Sequence, residues 1–218
     1  MNDIIGYVTD PSYFQIWGLS GTAVIFAGCA VAAFFYKGRD GEKYNPLNHF
    51  ISELGEKGIS KLALFFNLGL MIGGILDSIF MIQLGRYIGT PSAVIFSVLG
   101  VISSLACLFV GIFPMNNIVR HTVSATIFFY GGMFSVILFS ITSFLDKTRH
   151  IQEVFSIFAI AVAAVFFAFL TIMRFAVKKG FNLDVSNIKR PAFWLYPLVE
   201  WCVMISISIW IIAVSASA

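Results

Sequence analysis

Apolar runs of about twenty residues alternate with short polar stretches along the whole chain. The runs are Phe14 to Tyr36, Leu62 to Gln83, Ala93 to Phe113, Thr122 to Leu145, Val154 to Phe175 and Tyr196 to Ser215. Each is long enough, as a helix, to cross roughly 30 Å of hydrocarbon. Strands of a transmembrane barrel would alternate apolar and polar residues, and the tract FAIAVAAVFFAFL has no such period. The first run is preceded by MNDIIGYVTD, acidic rather than basic, so it is expected to be a retained helix and not a signal peptide. The pattern predicts an all-α integral membrane protein, one membrane domain over residues 1–218 with six transmembrane helices.

Between the first two spans lies NPLNHFISELG, residues 45–55. Asn45 suits an N-cap, Pro46 the first helical position and Gly55 a stop. Leu47, Phe50, Ile51 and Leu54 repeat at i, i+3, i+4 and i+7, while Asn48, His49, Ser52 and Glu53 take the opposite face. The stretch is too short to span, so the prediction is a short amphipathic re-entrant or interfacial helix over 45–55.

Composition agrees with the class: 59% of residues are hydrophobic, 11% are charged, and the mean hydropathy is +0.90. The cations set an orientation. Lys37, Arg39, Lys43, Lys57, Lys61, Arg120, Arg174, Lys178, Lys179, Lys189 and Arg190 flank the first, third and fifth loops, against Arg86, Lys147 and Arg149 on the other side. This bias predicts a multi-pass protein of the cell membrane with loops one, three and five cytoplasmic and both termini outside. The net charge of +3 is that bias; no basic stripe interleaved with exposed aromatics points to nucleic acid. Cys29, Cys107 and Cys202 fall within spans, without CxxC spacing, and read as small apolar packing residues. Gly69 and Gly73 form a GxxxG, and Ala159, Ala163 and Ala164 a small face, both suited to close helix packing. The fifth loop, VKKGFNLDVSNIKRPAFWLYP, reads as interface anchoring through its basic residues, Trp194 and Tyr196.

Polar residues inside this apolar chain converge on the cytoplasmic side. In GIFPMNNIVRH, Pro114 ends the third span, Asn116 or Asn117 caps the fourth, and Arg120 and His121 enter its first turn. A neutral imidazole there accepts a hydrogen bond or binds a metal. Glu200 lies one turn inside the sixth span, where a carboxylate costs up to about 2.5–3.5 kcal/mol unless partnered. Arg120, His121 and Asn67 are candidate partners on that side. The same residues admit a purely architectural reading, with Glu53 and Arg120 paired to lock the re-entrant helix. Asp77, in GGILDSIF, stands apart in the outer half of the second span as an intramembrane acid.

The pair NPLNHFISELG and GIFPMNNIVRH resembles the prokaryotic membrane family of domain of unknown function 998, through Asn48, Ile51, Ser52, Leu54 and Gly55 in the first motif and Phe113, Pro114 and His121 in the second. A looser similarity links the chain to Frag/DRAM/Sfk-type six-helix membrane proteins, with Glu53 where those have Asp. That similarity implies a membrane-lipid or organelle-membrane context. Neither resemblance implies a reaction.

Three functions remain open on the sequence. One is a cytoplasmic-side pocket for a lipid headgroup or small amphiphile, with Arg120 on its phosphate or carboxylate and Asn48, His49, Ser52, Glu53, Asn116, His121 and Glu200 around it. Another is a metal-dependent lipid hydrolase using His49 and Glu53 at i and i+4, with His121 as third ligand and Glu200 as base or fourth ligand; His150 is expected on the opposite side. The last is a structural or regulatory subunit packed against a membrane-protein partner or a second copy. No span holds paired histidines for haem, and no cofactor is specified.

Overall fold

The computed structural model describes residues 10–146, 151–182 and 190–217. Lys147, Arg149, His150 and Lys189, used above for orientation and ligand counting, lie outside them. Six long helices carry the described chain: α1 Phe14–Phe34, α2 Ala63–Ile88, α3 Pro91–Ile112, α4 Ile118–Leu145, α5 Glu153–Lys178 and α6 Leu195–Ser215. Short 3-10 turns occur at Pro11–Tyr13, Ile51–Gly55 and Met115–Asn117. All six helices are long and apolar enough to cross a membrane.

Local chemistry sets the ends. The second helix runs on past Gln83 to Ile88, because Gln83 is buried and Arg86 suits the negative C-terminal turn. It stops at Gly89, whose φ of 71° requires a residue without Cβ. Thr90 then accepts a hydrogen bond from the Ala93 N–H at 3.3 Å with Pro91 at the first position, so only Gly89 and Thr90 separate α2 from α3. At α4, Asn117 is the cap, its Oδ1 accepting from the Arg120 N–H.

Each helix packs on its successor and α6 returns to α1, closing an up-and-down ring. Small residues bring the first hairpin together: a methyl group on Gly28 would lie 2.8 Å from the Phe65 carbonyl oxygen and 3.2 Å from the Gly69 Cα. The GxxxG of α2 is thus used within the chain, Gly69 against Gly28 and Gly73 against Gly21 and Ile25. Ala159 and Ala163 pack inward, whereas Ala164 faces out. Cys29 and Cys107 are buried and Cys202 is exposed; all three thiols are free.

The main core stacks Phe80, Phe96, Phe139, Phe166 and Trp210 along the bundle axis. A second core at one end joins Cys29, Ala32, Phe66, Leu70 and Met204 to Ile51 and Leu54 of the loop after α1. That loop therefore plugs the mouth of the ring. Leu64, Phe167 and Val119 point outward, the surface expected against lipid.

Candidate functional site

The plug is not one continuous helix. Asn45 starts a single turn, its Oδ1 accepting from Leu47 N–H at 3.0 Å and its carbonyl from His49 N–H at 2.9 Å. The backbone then extends at Phe50 (φ −63°, ψ 147°) and a 3-10 helix follows over Ile51–Gly55. The break has a cause that hydrophobic periodicity does not carry. Two carboxylates take the backbone donors at this point: Glu53 Oε1 accepts from Phe50 N–H and Glu200 Oε2 from Ile51 N–H, both at 2.7 Å. Donors satisfied by side chains no longer need the helical ladder.

Both faces of the plug are consequently buried. Phe50, Ile51 and Leu54 enter the core as expected, Leu47 stays exposed, and the polar residues meet protein: Glu53 is 1% exposed, His49 2% and Ser52 8%. Burying a carboxylate so fully demands a partner. That partner is Arg190 and not Arg120. The guanidinium grips Glu53 bidentately, Nη1 to Oε1 at 2.9 Å and Nη2 to Oε2 at 2.6 Å, and its Nη1 also donates to the Asn48 carbonyl. Partial burial works against the charge on Arg190, but the Glu53 carboxylate outweighs it and holds the pKa above its ordinary value. Two further bonds fasten the segment before α6 to the plug, Trp194 N–H to Leu47 O at 2.8 Å and Asn48 Nδ2 to Pro191 O at 3.2 Å.

Arg120 instead lies on the exposed side of α4, its guanidinium 5.2 Å from the centroid of the Phe113 ring. Asn116 clamps the loop, accepting from Lys57 N–H at 2.8 Å and donating to Lys57 O at 2.9 Å. Asn67 donates to Gly55 O at 3.0 Å, so close that a side chain on Gly55 would strike it. His49 Nδ1 sits 2.7 Å from Asn48 Oδ1 and its Nε2 3.6 Å from Glu42. Beside it Tyr44 donates to the His49 carbonyl and accepts from Trp201 Nε1; burial raises the phenol pKa, so it stays protonated. His49 and Glu53 thus turn to different partners, and His121 to a third. Among the described residues no three His, Cys, Asp or Glu side chains come together as a metal site.

Three of the sequence candidates do converge. Ser52, His121 and Glu200 line one end of a groove of about 420 Å³ between α4, α5 and the plug. His121 Nδ1 lies 3.0 Å from the Phe113 carbonyl, an obligate acceptor, so Nδ1 carries the proton and Nε2 is the acceptor in the neutral ring. Ser52 Oγ donates to Met115 Sδ at 3.3 Å. Phe129, Phe169, Leu170 and Met173 make the depth of the groove apolar, and Arg174 and Lys178 stand on its α5 wall.

The model of a protein family described as "protein of unknown function" matches residues 24–217. The chain belongs to the DUF998 family. No curated protein and no solved structure matches it. In this DUF998 member the two motifs that carried the resemblance meet at one end of the bundle: Ser52 of the first touches Met115, and His121 of the second hydrogen-bonds Phe113. Asn48, Asn116 and Arg120 do not line the groove, nor do His49 and Glu53.

Sequence reasoning passed over Arg190, Arg174 and Lys178, treating them as orientation charges and interface anchors. Two signals were available. Arg190 directly precedes Pro191 at the entry to α6, ten residues before Glu200, and Arg174 and Lys178 are four apart, on one face of α5.

Proposed function

We propose that this DUF998 protein binds an amphiphile with an anionic headgroup, a membrane lipid or its single-chain form, in the groove between α4 and α5 on the cytoplasmic side. The observation that supports it most is the polarity gradient of the groove. His121 and Lys178 lie at the end of the bundle where the plug sits, and Phe129 and Phe169 lie eight or nine residues further in, a depth of about 12 Å at helical rise. A basic rim over an apolar slot suits a headgroup anion with an acyl chain beneath it. Arg174 and Lys178 would take the phosphate or carboxylate, the role first expected of Arg120. Ser52, His121 Nε2 and Glu200 would meet headgroup hydroxyls. The cytoplasmic assignment rests on the distribution of lysine and arginine.

Binding of a fluorescent anionic lysophospholipid and its zwitterionic counterpart to the purified protein tests the reading. Replacing Arg174 and Lys178 together by glutamine is expected to weaken the anionic ligand by about tenfold, some 1.4 kcal/mol, while the zwitterionic one changes little. Ala125→Phe, which fills the slot, is expected to weaken both. Equal affinities in all three proteins would refute the proposal.

A further inference from the structure

Away from the groove, a cavity of about 60 Å³ lies in the middle of the bundle, walled by residues of all six helices. A water centre needs about 10–15 Å³, so several waters fit. Three of the residues that wall it each carry a buried polar atom without a hydrogen-bond partner: Thr22 Oγ1 on α1, Asp77 Oδ1 on α2 and Trp210 Nε1 on α6. A buried carboxylate, hydroxyl and indole N–H left unpaired would each cost about 1–3 kcal/mol. Three such atoms around one space of that size are explained together if water fills it.

Two more observations give the space a direction. Cys107, Phe128 and Met204 wall both this cavity and a smaller one of about 40 Å³ beneath the plug. The smaller cavity in turn shares Ser52, His121, Ala125, Phe129 and Glu200 with the groove. Consecutive spaces with common walls thus run from the re-entrant end to the bundle centre, with a carboxyl group at each end. Among the residues lining the central cavity, Asp77 is the sole carboxyl, Cys107 the sole other titratable group, and no lysine, arginine or histidine faces it. No cation therefore pins Asp77 in its ionised form.

We propose that the central cavity is a hydrated proton-binding site, in which Asp77 takes up and releases a proton through water that communicates with the re-entrant end past Glu200. In the step, the Asp77 O–H bond breaks, the proton passes to an adjacent water and along the chain, an O–H bond forms on the Glu200 carboxylate, and a carboxylate remains at Asp77. Nothing is oxidised or reduced. The inference is independent of lipid binding.

Infrared pH titration of the protein in nanodiscs, repeated in D₂O, tests it. A carboxylic-acid C=O band is expected that titrates, shifts in D₂O, and is lost in Asp77→Asn while surviving in Glu200→Gln. Trp210→Phe and Thr22→Val, which leave the acid in place, are expected to move that band by removing partners of its water. In Glu200→Gln its exchange with D₂O is expected to slow. A band that does not depend on Asp77, or that fails to exchange, would overturn the site. Unchanged exchange in Glu200→Gln would overturn the route, and loss of the band on adding sodium at constant pH would overturn the proton as the bound species.

Discussion

A single carboxylate organises the re-entrant end. Glu53 spends one oxygen on the Phe50 N–H and both on Arg190, and at 1% exposure its charge has no water to fall back on, whereas the Arg190 side chain keeps 19% of its surface exposed. Removing one partner of a buried pair costs about 3–5 kcal/mol, whereas replacing both with apolar groups can be neutral. Thermal unfolding in detergent is therefore expected to show a lower midpoint for Arg190→Gln and for Glu53→Leu, with most of the loss recovered when Glu53→Leu is combined with Arg190→Met. Losses that simply add would contradict the coupling. That Glu53 needed a cation was legible from its place in an apolar chain. Which cation was not, because Arg120 and Arg190 share a predicted side and only the packing of α6 against the plug decides between them.

The elements were legible where the physics is local. Apolar run length located the six helices, and Gly89, Thr90, Pro91 and Asn117 mark ends by turn and capping chemistry that sequence carries. The plug was legible only as a short amphipathic segment. Its break at Phe50 depends on Glu200, 149 residues from the Ile51 N–H that it accepts, a contact no periodicity reports. Helix packing yields its own prediction. Gly28 faces backbone of α2, which cannot swing aside as a side chain can, so Gly28→Leu is expected to destabilise by at least about 1–3 kcal/mol through overpacking. Ala164→Leu on the outward face of α5 is expected to leave the midpoint unchanged. The same unfolding assay separates the two.

At the scale of the whole molecule, the ring of helices is plugged at one end and slotted along α4 and α5, so the groove lined by Ser52, His121 and Glu200 runs inward from that end. The orientation predicted from charge places this end in the cytoplasm. Cysteines introduced at Lys57 and Arg86, exposed positions at opposite ends, are expected to react with an impermeant maleimide from the cytoplasmic and the outer side respectively; the reverse pattern would invert the account. The groove itself was legible only in part. Ser52, His121 and Glu200 were legible as members of a cytoplasmic-side polar cluster, but the slot depends on how α4, α5 and the plug pack together. The central claim is that an anionic amphiphile occupies it, and a structure of the protein determined with an anionic lysophospholipid tests this most directly. The account predicts a headgroup against Arg174 and Lys178 with its chain between Phe129 and Phe169. A lipid bound elsewhere, with the groove closed by its own side chains, would contradict it.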